Sequence, residues 1–207
     1  QAKSEKKVVS DFLMPARSEI IKGNVGAQLS KVYDNGILKQ DVERLVSPFL
    51  KQTETHLWQG EFWGKWMNSA VIAYQYKPTA ALMNMMKEAV DRLVAAQTAD
   101  GYIGNYAPEA RLKEWDIWGR KYCMLGLLNY YELTKDKKAL IVAKKEADCL
   151  MTELRNRNVS IVALGNHRGM AASSILNPFC YLYSFTGEKQ YLNFAEGIVK
   201  SWEAADG

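Results

Sequence analysis

Along residues 136–155 the apolar positions Leu140, Ala143, Ala147, Leu150 and Leu154 recur at steps of three and four. That spacing predicts an amphipathic helix with one buried stripe. Leu192, Ala195, Val199 and Trp202 follow the same track further on. The stretches that precede these helices differ. Tyr122–Tyr131 and Ser174–Phe185 are apolar nearly all round, and Met67–Tyr76 almost so. A helix apolar on every face must be surrounded by protein. Alternating enclosed and one-sided helices predict an inner ring wrapped by an outer ring. The expected fold is therefore an all-α toroid of helical hairpins, in preference to an open solenoid or an irregular bundle. Val25–Tyr33 and Gln40–Glu54 predict leading helices within residues 25–54, with Pro15 and Gly36 as breaks. No stretch alternates convincingly, so almost no strand is expected.

An internal repeat supports the hairpin reading. At an offset of 52, Tyr131 meets Tyr183, Thr134 meets Thr186, Asp136 meets Glu188, and Lys137, Leu140 and Ala143 meet Lys189, Leu192 and Ala195. A looser copy runs from Tyr74 through Leu82 and Ala89. Repetition at this length marks stacked supersecondary units. Hairpins are expected at about 61–97, 116–155 and 170–204. Gly187 suits the left-handed end of one helix, and the acid after it favours the start of the next.

Composition narrows the function classes. The 207 residues are 48% hydrophobic and 24% charged, as in an ordinary globular chain, read here as one domain over 1–207. Net charge is 27 − 23 = +4, spread over helix faces without a tract of five like charges. Nucleic acid and membrane surfaces are not the expected partners. No apolar run approaches the roughly 18 residues of a membrane span, and the polar Gln1–Lys7 is no signal peptide. The first residue is not Met, which points to a processed or engineered start. Cys123, Cys149 and Cys180 lie in apolar helical stretches, where a free thiol behaves as a small buried hydrophobe. With only His56 and His167 besides, no metal site built wholly from this chain is expected.

The segments entering the three enclosed helices hold the candidate chemistry: Leu57–Met67, Glu114–Cys123 and Gly165–Met170. Trp63-Gly-Lys65-Trp66 resembles Trp118-Gly-Arg120-Lys121-Tyr122 at an offset of 55, so these entrances should emerge at one end of the ring. Five of six tryptophans fall here (Trp58, Trp63, Trp66, Trp115 and Trp118), with Glu61, Lys65, Asp116, Arg120, Lys121, Tyr122, His167 and Arg168 among them. Ring faces stack on sugar C–H groups while charged side chains bind hydroxyls, so the pattern favours a carbohydrate ligand over a merely structural tryptophan cluster. The loop Thr98–Trp115, with Asp100 and Tyr102 at its turn, is long enough to fold over the mouth. Glu61 with Asp116 is the best carboxylate pair for acid–base work on a glycosidic bond. Gly165 and Gly169 flank His167 without a phosphate-loop pattern.

Four stretches carry a family likeness: Gly60–Trp66 (GEFWGKW), Ala95–Tyr106 (AAQTADGYIGNY), Trp115–Thr134 and Ser173–Ala195. From about Ile20 onward the sequence resembles the N-terminal part of the catalytic domain of the β-L-arabinofuranosidase-like glycoside hydrolases, family 127 and relatives. The resemblance implies an (α/α)6 barrel, hydrolysis of terminal sugars from plant or glycoprotein glycans, and an extracytoplasmic setting. It also implies a zinc-bound cysteine nucleophile and a glutamate acid/base, carried by Glu-x-Cys and Cys-Cys contexts in the later half of the barrel. Neither context occurs here, so no catalytic or metal role passes to Cys123, Cys149 or Cys180. Six hairpins of the observed length need on the order of 320 residues, so the barrel is expected to be incomplete in this chain. The chain would supply one wall of the substrate pocket, and the rest of the barrel or self-association would cover its open face. Where many relatives carry His-Glu-Leu-Tyr this chain has Trp115-Asp-Ile-Trp118, a departure that bears on sugar preference. Two other readings compete: an unsaturated-uronide hydrolase on the same toroid using Asp116, and a helical module that binds glycan or protein without turnover.

Overall fold

The computed structural model describes residues 21–203, so Gln1–Lys7 and Pro15 lie outside the described residues. Nine α-helices follow one another among them. α1 (Gly23–Lys31) continues through a π-helical turn at Val32–Ile37, and α2 spans Val42–Lys51. Gly36 therefore sits inside a widened turn rather than at a break. α3 (Glu61–Tyr76) and α4 (Ala80–Ala95) form the first hairpin, α5 (Asp116–Thr134) and α6 (Lys137–Arg157) the second. The short α7 (Met170–Ser173) leads into the third, α8 (Leu176–Thr186) with α9 (Lys189–Ser201). The extended pairing among the described residues is a single parallel bridge between Glu54 and Tyr106.

The repeated phrase encodes a repeated turn. Thr134 Oγ1 donates to Tyr130 O at 2.7 Å and accepts from Asp136 N at 3.2 Å. Thr186 makes the same pair of bonds to Leu182 O (2.7 Å) and Glu188 N (3.1 Å). Between each threonine and its acid one residue adopts a left-handed conformation, Lys135 (φ 61°) in one hairpin and Gly187 (φ 70°) in the other. Those geometries close the outgoing helix and start the returning one within three residues. Asp136 then caps α6 by accepting from Lys138 N at 2.9 Å, and Thr79 caps α4 from Leu82 N at 3.2 Å.

α3, α5 and α8 stand side by side in one layer, and α4, α6 and α9 back them in a second. α5 is the enclosed member, packed on α3 along one side and on α8 along the other. Its partly accessible or exposed positions include Trp118, Tyr122, Asn129 and Glu132, which recur at helical spacing and form one stripe. α3 and α8 correct the expectation of full enclosure. Ile72 of α3, and Cys180 and Tyr181 of α8, are exposed, because each of these helices has a packed neighbour of its own layer on one side only. The same edge position corrects the expectation for Cys180, whereas Cys123 and Cys149 are buried.

Candidate functional site

Three loops meet at the end of the layer from which α3 and α5 start. In the first, Glu54 turns its carboxylate back on its own chain and accepts the N–H groups of Thr55, His56 and Leu57 at 2.8, 2.9 and 2.9 Å. Tyr106, from the second loop, donates its hydroxyl to Leu57 O at 2.9 Å and accepts from Trp115 N at 3.2 Å. Glu114 ties in the third: its carboxylate accepts from Asn166 Nδ2 at 3.0 Å and lies 3.7 Å from His56 Nδ1. Its carbonyl also accepts from Asn166 N at 3.2 Å. A side chain on Gly165 (φ 70°) would place its Cβ 2.7 Å from that carbonyl, so the crossing requires glycine. Leu112, Glu114, His167 and Arg168 all have φ between 46° and 71°, an unusual density of left-handed non-glycine residues.

These loops and the first turns of α3 and α5 assemble an aromatic rim. Ring centroids step from Trp58 to Trp115 (6.4 Å), Trp115 to Trp118 (5.9 Å) and Trp118 to Tyr122 (5.1 Å), all edge to face. His167 stands edge-on to Trp115 at 5.3 Å. The Lys121 ammonium lies 3.5 Å from the Trp118 ring centre and 3.9 Å from that of Tyr122. Lys65 sits 5.0 Å from Tyr122 and pairs with Glu61 at 2.8 Å, and Glu61 also accepts from the Trp118 indole. Burial, then the neighbouring Lys65, lowers the Lys121 pKa to about 8. The arrangement places two cations against ring faces and a carboxylate at the Trp118 indole N–H, the equipment for gripping a polyhydroxylated ligand.

Residues 13–204 match the family described as β-L-arabinofuranosidase, GH127 catalytic domain. The chain belongs to that family. It is 26% identical over 147 residues to a non-reducing end β-L-arabinofuranosidase of Bifidobacterium longum subsp. longum, covering 65% of this chain and 22% of that protein. Among solved structures it is similar to a GH127 β-L-arabinofuranosidase from Geobacillus stearothermophilus T6, at 17% identity and a TM-score of 0.57 over 84% of this chain and 29% of that one. A second GH127 β-arabinofuranosidase matches at 21% identity and a TM-score of 0.55, over 82% of this chain and 28% of that one. The chain thus spans under a third of the length of these relatives, and its hairpins have the fold of part of their (α/α)6 barrel.

Of the residues singled out from the GH127 sequence, Glu61, Lys65, Trp115, Trp118, Lys121, Tyr122 and His167 come together in the rim. Trp63, Trp66, Asp100, Tyr102 and Asp116 do not. Trp63 is fully buried and donates its indole N–H to Ala89 O at 3.2 Å, and Trp66 donates to Ile37 O at 3.1 Å. Both lie on the helical stripe of Met67 and Ala70, which packs into the core, whereas Glu61 and Lys65 lie on the opposite face. Nearness to a helix entrance does not say which face a residue takes.

Asp116 is likewise no partner for Glu61 in acid–base chemistry. It is 1% exposed, accepting from the Tyr102 hydroxyl (2.7 Å) and Leu112 N (2.8 Å), with Arg120 at 3.5 Å. Arg111, Glu146 and Glu153, which sequence reading missed, complete this buried network. Arg120 pairs with Glu146 and, at 2.5 Å, with Glu153, while Arg111 holds Asp100 at 2.7 Å. The Tyr102 ring lies between the two guanidiniums, 3.8 Å from Arg111 and 4.9 Å from Arg120. Ile103 N donates to Glu146, so the network pins the 98–115 loop onto α6. A signal was present: Glu146 falls beside Ala143, Ala147 and Leu150 in the buried stripe of α6, where an unpaired acid would be prohibitive.

Four carboxylates face two guanidiniums here, and burial pushes the Glu146 pKa up to about 7 and raises that of Asp116. Between about pH 4.5 and 7 the folded chain therefore keeps a proton that the unfolded chain releases, and stability falls as pH rises. Acids whose pKa is lowered, such as Asp100 at about 2, lose their stabilising effect only at lower pH. Denaturant unfolding should give a free energy roughly 2–3 kcal/mol smaller at about pH 7.5 than at about pH 5, a slope that Glu146→Gln reduces. Equal values at both pH would refute the excess buried proton.

The zinc that the family resemblance implies has no complete ligand set among the described residues. No group of three or more His, Cys, Asp or Glu side chains is placed to hold a metal ion there. Cys123 is fully buried against Gly60 O, and burial raises its pKa far from the thiolate a metal needs.

Proposed function

We propose that this chain is part of a glycoside hydrolase that releases terminal β-L-arabinofuranosyl units, and that its aromatic rim forms one wall of the substrate pocket. The observation that carries this reading is the Lys121 ammonium set between the rings of Trp118 and Tyr122, beside the Lys65–Glu61 pair. Membership of the GH127 family supports the chemistry, which the remainder of the barrel would supply. In this role Lys121 and Lys65 donate to sugar hydroxyls, Glu61 accepts from them and orients Trp118, and the rings exclude water from one side. The burial of Asp116 removes the basis for a uronide hydrolase using that residue.

Lys121→Met tests the reading in the full-length enzyme, since Met keeps the buried stem and removes only the ammonium. Losing a charge-assisted hydrogen bond of about 1.5–3 kcal/mol should raise KM for a β-L-arabinofuranoside roughly 10- to 100-fold with the unfolding midpoint unchanged. Because the ammonium titrates near 8, wild-type binding should weaken as pH rises through that value, and the variant should lose this limb. Absence of arabinose release by the wild-type enzyme, or an unaltered KM in the variant, would defeat the proposal.

A further inference from the structure

The rim is longer than one sugar requires. Successive rings are turned by 72° between Trp58 and Trp115 and by 70° between Trp115 and Trp118. A flat sugar ring lies on one face, so a sugar engaged at Trp118 and Tyr122 leaves Trp58 free. Accessibility also grades along the rim, from Lys121 at 6% through half-buried Trp118 and Trp115 to Trp58 at 48%. An enzyme that removes a terminal unit holds that unit against one part of such a rim and leaves the remaining glycan to reach the next.

Trp58 is 48% exposed among the described residues. Its indole is a large apolar surface, and folding it inward would be favourable. Instead the segment beneath it is fixed. The Glu54 carboxylate takes three successive N–H groups, Tyr106 holds the Leu57 carbonyl, and the Glu54–Tyr106 bridge adds backbone bonds of 3.0 and 2.8 Å. The loop presents the ring already oriented, which lowers the entropy lost when a ligand stacks on it.

Building on the proposed arabinofuranosidase reading, we infer that Trp58 is a leaving-group-side subsite that stacks the second sugar of an oligosaccharide substrate. The test uses the full-length enzyme with two substrates, a β-L-arabinofuranosyl disaccharide and methyl β-L-arabinofuranoside, whose leaving group is too small to reach Trp58. Trp58→Ala should raise KM for the disaccharide about tenfold more than for the methyl glycoside, and Trp58→Phe should restore most of that difference. If the wild-type enzyme cleaves neither compound, the arabinofuranosidase reading falls and takes the subsite with it. If it cleaves both but Trp58→Ala shifts both alike, or neither, the subsite alone is overturned. Unfolding of Trp58→Ala would show that protein, not sugar, covers the ring, and would equally overturn it.

Discussion

Gly64→Ala is expected to destabilise the domain by about 3 kcal/mol or more, the upper end for an overpacked site. A Cβ at position 64 would lie 2.0 Å from the carbonyl oxygen of Tyr122 and 2.2 Å from its carbon. Both are main-chain atoms of α5, so no rotamer change relieves the overlap, and α3 must move away. The same seam is close elsewhere. Cβ atoms on Gly60 and Gly119 would come within 3.4 Å of each other's backbone, and one on Gly126 would lie 2.7 Å from the Trp63 ring and 3.3 Å from Gly64 Cα. Separating the helices would strip contacts from Trp63, Met67 and Met124, all fully buried. It would also displace Lys65 and Glu61 from Tyr122 and Trp118, so substrate affinity should fall together with stability. Gly197→Ala on α9, where an added Cβ meets nothing within 4 Å, is the matched control and should be neutral or slightly stabilising. Chemical denaturation of the two variants decides the matter, and equal midpoints would remove the close seam from the account.

The hairpins were legible because three local signals agreed: the stripe of Leu140, Ala143, Ala147 and Leu150, the Thr-x-acid turn, and the repeat that copies both. The same turn chemistry appears in the structure at Thr134 and Thr186. The rim was legible in outline, since aromatic residues crowd the entrances to α3 and α5. What the chain order does not show is which way each ring turns. Trp63 and Lys65 are two residues apart, yet one enters the core and the other the rim, a 200° difference around a helix that only packing reveals. Glu114 and Tyr106 escaped notice because their work is to join loops roughly 50 residues apart, and such pairings leave no local pattern. Asp116 was misread for a related reason. An acid beside two tryptophans reads as a site residue until its partners Arg120 and Tyr102 are seen around it.

Arg120→Met should produce the second large loss, and its dependence on pH separates electrostatics from packing. Met fills much of the volume and leaves Asp116, Glu146 and Glu153 facing one another without the guanidinium that neutralises them. Removing one partner of a buried ion pair typically loses about 3–5 kcal/mol, because the survivors remain charged in a poor solvent. Protonation relieves that penalty. Glu146 and Asp116 already have raised pKa values with Arg120 in place, and without it both must rise further. The variant should therefore be near its full deficit at about pH 8 and recover much of it at about pH 5, whereas a packing defect would be equal at both. Adding Glu146→Gln to Arg120→Met should return part of the stability at the higher pH. The functional consequence follows from the loop. Ile103 N on Glu146, Tyr102 on Asp116 and Arg111 on Asp100 fix the segment whose Tyr106 holds both Leu57 and Trp115. Loosening it lets the aromatic rim lose its register before the helices unfold, so KM should climb with pH in the variant at temperatures where circular dichroism still reports intact helices. A deficit independent of pH, or a rim whose affinity is untouched while stability falls, would show that the buried charges support the core alone.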